Sequence, residues 1–143
     1  MATIKSFEEI EAWMRARKVA DQFYNVFLRE GAKRDFGLKD QVNRSIGSVM
    51  DNIAEGFERG GNKEFVQFLF IAKGSAGETR SQLYRILDRN YISIEEFNQL
   101  STELVTINKL LMNFISYLKT TEIKGHKYHE PDAKYGIKPG WRG

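Results

Sequence analysis

From Phe7 onward the apolar residues of the chain recur every three or four positions. Phe7, Ile10, Trp13, Ala16, Ala20, Phe23, Tyr24 and Phe27 fall on one side of a helix, which predicts a first helix over about Ser6 to Arg29 ending near Gly31. Ser6, followed by Glu8 and Glu9, offers a cap and an acidic first turn that suit the positive end of the helix dipole. A second stripe, Leu38, Val42, Ile46, Val49, Ile53 and Phe57, opens after Gly37 and stops at Gly60-Gly61, a pair that reads as a turn. The third, with Asn62 as its expected cap, carries Phe65, Phe68, Leu69, Ala72, Ala76, Leu83, Ile86 and Leu87 as far as Asn90. Gly74 and Gly77 lie inside it, each costing about 1 kcal/mol against alanine, and are expected to mark close helix contacts. In the fourth, Ser93 and Glu96 form a capping box ahead of Phe97, Leu100, Leu104, Ile107, Leu111, Phe114 and Leu118. Those spacings alternate 3 and 4 without a break, a period that suits a left-handed supercoil.

Four amphipathic helices joined by short links shield their stripes only by packing on one another. The expected fold is therefore all-α, an up-down left-handed four-helix bundle over residues 1–122. After Lys124-Gly125 the periodicity disappears, and residues 123–143 gather Gly, charge and the chain's two prolines, Pro131 and Pro139, as an irregular basic extension. No cysteine is present, no apolar run is long enough to cross a bilayer, and the first residues lack a signal-peptide core. A cytoplasmic protein without a membrane partner is the expectation, held together by packing alone.

The polar residues are also ordered. Gln41, Arg44, Ser48, Asn52, Glu55 and Arg59 make a line down the second helix, roughly 120° from its apolar stripe. The third helix has a comparable line in Glu64, Ser75, Glu78, Gln82, Arg85 and Arg89. Rows of this kind are ordinarily solvated faces. Here the second-helix row favours Gln, Arg, Ser and Asn over long flexible Lys and Glu, which suits fixed hydrogen bonds. Self-association, with Arg meeting Glu between copies, is the sharper reading, and it makes Gln41, Arg44, Ser48, Asn52, Glu55, Ser75 and Glu78 an expected oligomer interface or structural polar row.

Catalytic and metal chemistry find little support. The Glu-x-x-His pairs of a di-iron bundle are missing, and the only histidines, His126 and His129, lie in the extension. No phosphate-binding glycine loop with its lysine occurs, and Ser48 and Ser75 have no helical histidine to activate them. No cofactor is expected. The net charge is +3 with a pI near 9.1, and the basic excess sits in the third helix and the extension. Arg80, Arg85 and Arg89, with Lys124 and Lys127 and the nearby Tyr128, Tyr135 and Trp141, are the candidate nucleic-acid contacts, because cations neutralise phosphates and aromatic rings stack on unpaired bases.

The stretch GLKDQVNRSIGSVMDNIAEGFERGGNKEFVQFLFIAKGSAGETRSQL carries Gly37, Leu38, Gln41, Arg44, Ser48, then Asn52-Ile53-Ala54-Glu55-Gly56, Arg59, Lys63-Glu64-Phe65, Ala72, Gly74-Ser75 and Glu78. Through these residues, with Phe7, Trp13 and the late heptads, the chain over about residues 4 to 120 resembles the bacterial four-helix-bundle proteins encoded in intervening sequences of large-subunit ribosomal RNA genes. The resemblance implies a bundle that assembles into a ring, often a pentamer. It also implies likeness to the accessory protein of diversity-generating retroelements, which works with a reverse transcriptase and binds nucleic acid. The expected function is a non-enzymatic, homo-oligomeric adaptor for nucleic acid, RNA first, with a protein-interaction scaffold as the alternative. The extension from His126 to Gly143 departs from the family pattern.

Overall fold

The computed structural model describes residues 3–121 and the backbone of Tyr128–His129. Its elements run β1 (Thr3–Ile4), a 3₁₀ turn (Phe7–Glu9), α1 (Glu11–Val26), α2 (Phe36–Arg59), α3 (Asn62–Asp88), α4 (Ile94–Thr120) and β2 (Tyr128–His129). Cross-helix contacts fix the directions. Gln41 meets Arg85 while Arg59 meets Glu64, so α2 and α3 are antiparallel. Tyr84 meets Phe97 and Phe65 meets Phe114 between α3 and α4; Arg15 of α1 meets Glu103, and Arg29, just past the end of α1, meets Glu96 of α4. The result is an up-down four-helix bundle, as the four stripes predict.

All seven heptad residues of α4, Phe97 to Leu118, are buried, and Phe23, Phe57, Phe65 and Phe114 fill the centre. Phe65 sets its ring edge-on to Phe114 at 5.2 Å and to Phe57 at 6.2 Å, the arrangement that aromatic quadrupoles favour. The Ser93–Glu96 capping box closes at the start of α4. Gly60 leaves α2 at φ 84°, a left-handed conformation that glycine adopts without a Cβ clash.

Several local expectations are corrected. Ser6 does not cap α1: a 3₁₀ turn intervenes, Ser6 Oγ turns toward Glu9, and α1 begins after extended Ile10. That break seats Phe7 edge-on against Trp13 at 5.2 Å, which a straight helix from Ser6 would not allow. The helix ends at Val26 rather than near Arg29, and a chain of tight turns to Asp35 follows. Tyr24, counted in the stripe, is 56% exposed. α2 begins at Phe36, one residue before Gly37, because the Asp35 carboxylate accepts the Leu38 N–H and caps it. Asn62 lies inside the first turn of α3, with Gly61 as the cap residue, and its amide donates to the carbonyls of Leu118 and Thr121 at the end of α4.

The glycines are reversed as well. Nothing lies within 4 Å of where a Cβ would stand on Gly74 or Gly77, both exposed, so neither is a close-contact point in this chain. Gly56 is one. A Cβ there would stand 2.7 Å from Phe68 Cβ and 2.9 Å from Phe65 Cδ1, so α2 approaches α3 over bare backbone. One pairing lies outside what periodicity predicts: Tyr128–His129 returns to the N-terminus and pairs antiparallel with Ile4–Thr3.

Candidate nucleic-acid interface and the polar seam

The two polar rows face each other across α2 and α3 in the same chain. Ser48 Oγ and Ser75 Oγ are 2.8 Å apart, and Asn52 Nδ2 donates to Ser48 Oγ at 2.9 Å and to Ser48 O at 2.8 Å. One layer deeper, Thr79 Oγ1 donates to Ser45 Oγ at 2.7 Å, which in turn donates to Gln82 Oε1 at 2.6 Å. Ser45, Thr79 and Gln82 are all buried. Buried polar groups need such partners, and a row of short hydroxyls meeting at fixed heights holds α2 and α3 in one register. Ser45 and Thr79 escape a reading of the sequence because they sit between the apolar and polar lines, where a helical wheel alone assigns no partner.

The charged members of the rows remain on the surface. Arg44 pairs with Asp40 one turn back at 2.9 Å, with side chains 80% and 62% exposed. Arg59 pairs with Glu55 at 2.9 Å and reaches Glu64 at 3.6 Å, all about half exposed. Exposed i,i+4 pairs are worth about 0.3–0.5 kcal/mol, so Arg44 and Glu55 are not a desolvated pair within the protomer. Glu78 is exposed and takes part in none of the ion pairs among the described residues.

The candidate phosphate contacts separate into three kinds. Arg80 is exposed and pairs with no acid among the described residues. Arg85 is exposed and donates to a neutral partner, Gln41 Oε1, at 2.8 Å. Arg89 is bound to Asp35, whose carboxylate also accepts the Tyr91 hydroxyl at 2.8 Å and the Leu38 N–H. Burial pushes the Asp35 pKa up, but the hydrogen bonds from Tyr91, Arg89 and Leu38 outweigh it and hold the group below the ordinary aspartate value. Arg89 is thus occupied in joining the end of α3 to the start of α2. Lys124 and Lys127 lie outside the described residues. Arg80 also stands apart from the other two: it is about 140° round α3 from Arg85, so the three arginines do not make one patch.

A second corner closes the same end of the bundle. Arg29 donates to Glu96 and, at 3.0 Å, to Tyr91 O. Its guanidinium and the Ser93 N–H lower the Glu96 pKa to about 2. Between α1 and α4 runs an open groove of about 450 Å³ edged by Met14, Lys18, Gln22 and Gln99. Arg15 crosses it, bound to Glu11 and Glu103 at 2.8 Å each, so its charge is already matched. Among the described residues no group of three or more His, Asp or Glu is placed to hold a metal ion, and no helix is long and apolar enough to cross a membrane.

A family model described as 23S rRNA-intervening sequence protein matches residues 8–113. The chain belongs to the 23S rRNA-intervening sequence protein family. That match runs from the 3₁₀ turn to late α4 and takes in both polar rows, whereas the extension lies beyond it. Among solved structures, a protein of unknown function from the S23 ribosomal protein family of Bacteroides thetaiotaomicron, determined at 1.70 Å, is 26% identical with a TM-score of 0.66. The alignment covers 73% of this intervening-sequence family member and 97% of that chain. A search of curated proteins finds no match.

Proposed function

We propose that the chain is a non-enzymatic, homo-oligomeric adaptor that binds nucleic acid, RNA in the first place, in the cytoplasm. The observation that carries this reading is the set of unmatched cations on α3: Arg80 faces no acid of the described residues, and Arg85 has only a neutral amide. A charge left unneutralised by its own chain is free to displace counterions from a phosphate backbone. The extension adds Lys124, Lys127, Lys134, Lys138 and Arg142 in sequence. Self-association, with a pentameric ring as the form that the family resemblance implies, multiplies that charge. Arg44 and Glu78 support it, since both are exposed and Glu78 has no cation partner among the described residues. A reverse transcriptase is the protein partner to which the same resemblance points.

A specific observation favours the scaffold reading as the second. Leu28, Phe36 and Ile94, each more than half exposed, all stand at the end of the bundle where α1 gives way to α2 and α3 to α4. Large apolar side chains left exposed at one end suit a protein partner.

Retention of RNA by the intact protein, measured against salt, separates the two readings, and light scattering during gel filtration reads the assembly. Binding that weakens linearly in log–log form supports the adaptor. No retention at about 50 mM salt, where the phosphate attraction is strong, would leave the scaffold.

A further inference from the structure

A second stripe runs along the outside of α3. Phe70, Lys73, Gly77, Arg80 and Tyr84 follow one another at spacings of 3, 4, 3 and 4, the same period as the core line but on an outward-facing side. Its side is fixed by two contacts with α4. Tyr84 packs edge-on against Phe97 with centroids 4.9 Å apart, and Lys119 Nζ lies 5.0 Å from the centre of the Phe70 ring. Phe70 and Tyr84 remain 43% and 51% exposed, with Arg80 exposed and Lys73 half-buried between them. α4 adds Lys119 at one end and Lys109 on its outward surface, both exposed.

Along the length of the strip the acids of both helices are directed elsewhere. Glu64 is held toward Arg59 of α2, Glu96 by Arg29 and Glu103 by Arg15 on the α1 side. Glu78 lies about 160° round α3 from Arg80, on the side of α2. Asp88 lies on the same side one turn past Tyr84 and Glu95 stands in the first turn of α4, so these two carboxylates close the strip at that end. What remains is a strip of four cations with an aromatic ring near each end. Gly77 leaves open space in the middle, where no atom lies within 4 Å of a Cβ position.

We infer that this α3–α4 face is the binding surface for single-stranded RNA. The inference rests on the nucleic-acid reading above and moves its centre from the end of α3, where Arg89 is bound to Asp35, to the side of the helix. Lys73 and Arg80 are about 10 Å apart along the axis and Lys109 and Lys119 about 15 Å, so the cations track a strand rather than cluster on one phosphate. The exposed part of Tyr84 and the side of Phe70 away from Lys119 offer ring surface on which unpaired bases stack, a mode open to single strands and closed to a paired duplex. An acidic protein segment would use the cations but leave the rings without a purpose.

The test compares full-length variants by fluorescence anisotropy with a uridine-rich 20-mer RNA from about 50 to 200 mM salt. Replacing Lys73, Arg80, Lys109 and Lys119 by Gln should reduce affinity by about tenfold or more at low salt and lower the log–log slope by roughly 0.7 for each phosphate no longer neutralised. Tyr84→Leu, which keeps an apolar side chain against Phe97 and so preserves the fold, should weaken binding on the order of tenfold with the slope unchanged. Replacing Lys124, Lys127, Lys134, Lys138 and Arg142 by Gln should leave most of the affinity. If that last variant loses binding while the four-residue variant retains it, the face is wrong and the nucleic-acid reading survives. If the unaltered protein binds no RNA at all, that reading fails and the face with it. Equal affinity for the matching DNA strand would overturn the assignment to RNA, and equal displacement by poly-glutamate would assign the face to an acidic protein.

Discussion

Replacing Gly56 by alanine tests the packing of α2 on α3 at its tightest point. Two effects oppose each other. In a helix interior alanine is better than glycine by about 1 kcal/mol, so an open site would be stabilised. At Gly56 the new methyl would lie 2.7 Å from Phe68 Cβ and 2.9 Å from Phe65 Cδ1. The first of these atoms is tied to the α3 backbone. The second belongs to a ring with no exposed surface, wedged between Phe57 and Phe114, so neither yields by a simple rotation. Overpacking costs about 1–3 kcal/mol, and with two neighbours under 3.0 Å that cannot rotate away the upper part of that range, about 2–3 kcal/mol, applies; displacement of α3 would also lengthen the Ser48–Ser75 and Ser45–Thr79 hydrogen bonds. The net expectation is a destabilisation of about 1–2 kcal/mol, or a melting temperature lower by roughly 3–8 °C for a chain of this size. Thermal denaturation followed by circular dichroism measures it. An unchanged or raised melting temperature would show that α2 and α3 do not meet at Gly56.

The opposite result is expected on the outer side of α3, where Gly74→Ala with Gly77→Ala should add about 1 kcal/mol each to stability; a lower melting temperature would mean that another chain's backbone lies against them. Acid should weaken the corner at Glu96. Its folded pKa, about 2 against an ordinary 4.5, is depressed, so its contribution is present above about pH 4.5 and is lost as the pH falls toward 2. Glu96→Gln should flatten the stability–pH curve in that window, and an unchanged curve would remove the Arg29 pair from the acid response.

The four helices are legible because their signal is local and repeated: the α4 heptads and the Ser93 capping box depend on residues a few positions apart. What the sequence conceals depends on which neighbour faces a position. A helical wheel places Gly56, Gly74 and Gly77 alike, but only Gly56 lies under Phe65 and Phe68. Asn62 has the chemistry of a cap, and the carbonyls of Leu118 and Thr121, far away in sequence, claim its amide instead. The polar rows stand out by residue type, yet their meeting across α2 and α3 requires the register of the two helices, which no single row contains. Arg89 looks free in sequence because Asp35 and Tyr91 approach it only once the loops are closed. The Phe70–Tyr84 stripe is hidden for a related reason: its residues mix aromatic, basic and small types, and only the packing against Phe97 and Lys119 shows that it belongs to one side.

The most direct test of the adaptor reading is the affinity of the intact protein for a labelled single-stranded RNA, measured across salt on the species whose mass light scattering gives. The expected result is a particle several times the 16.6 kDa chain, with binding strong at about 50 mM salt and falling along a straight log–log line. A 16.6 kDa monomer that shows no affinity for RNA at that salt would contradict it.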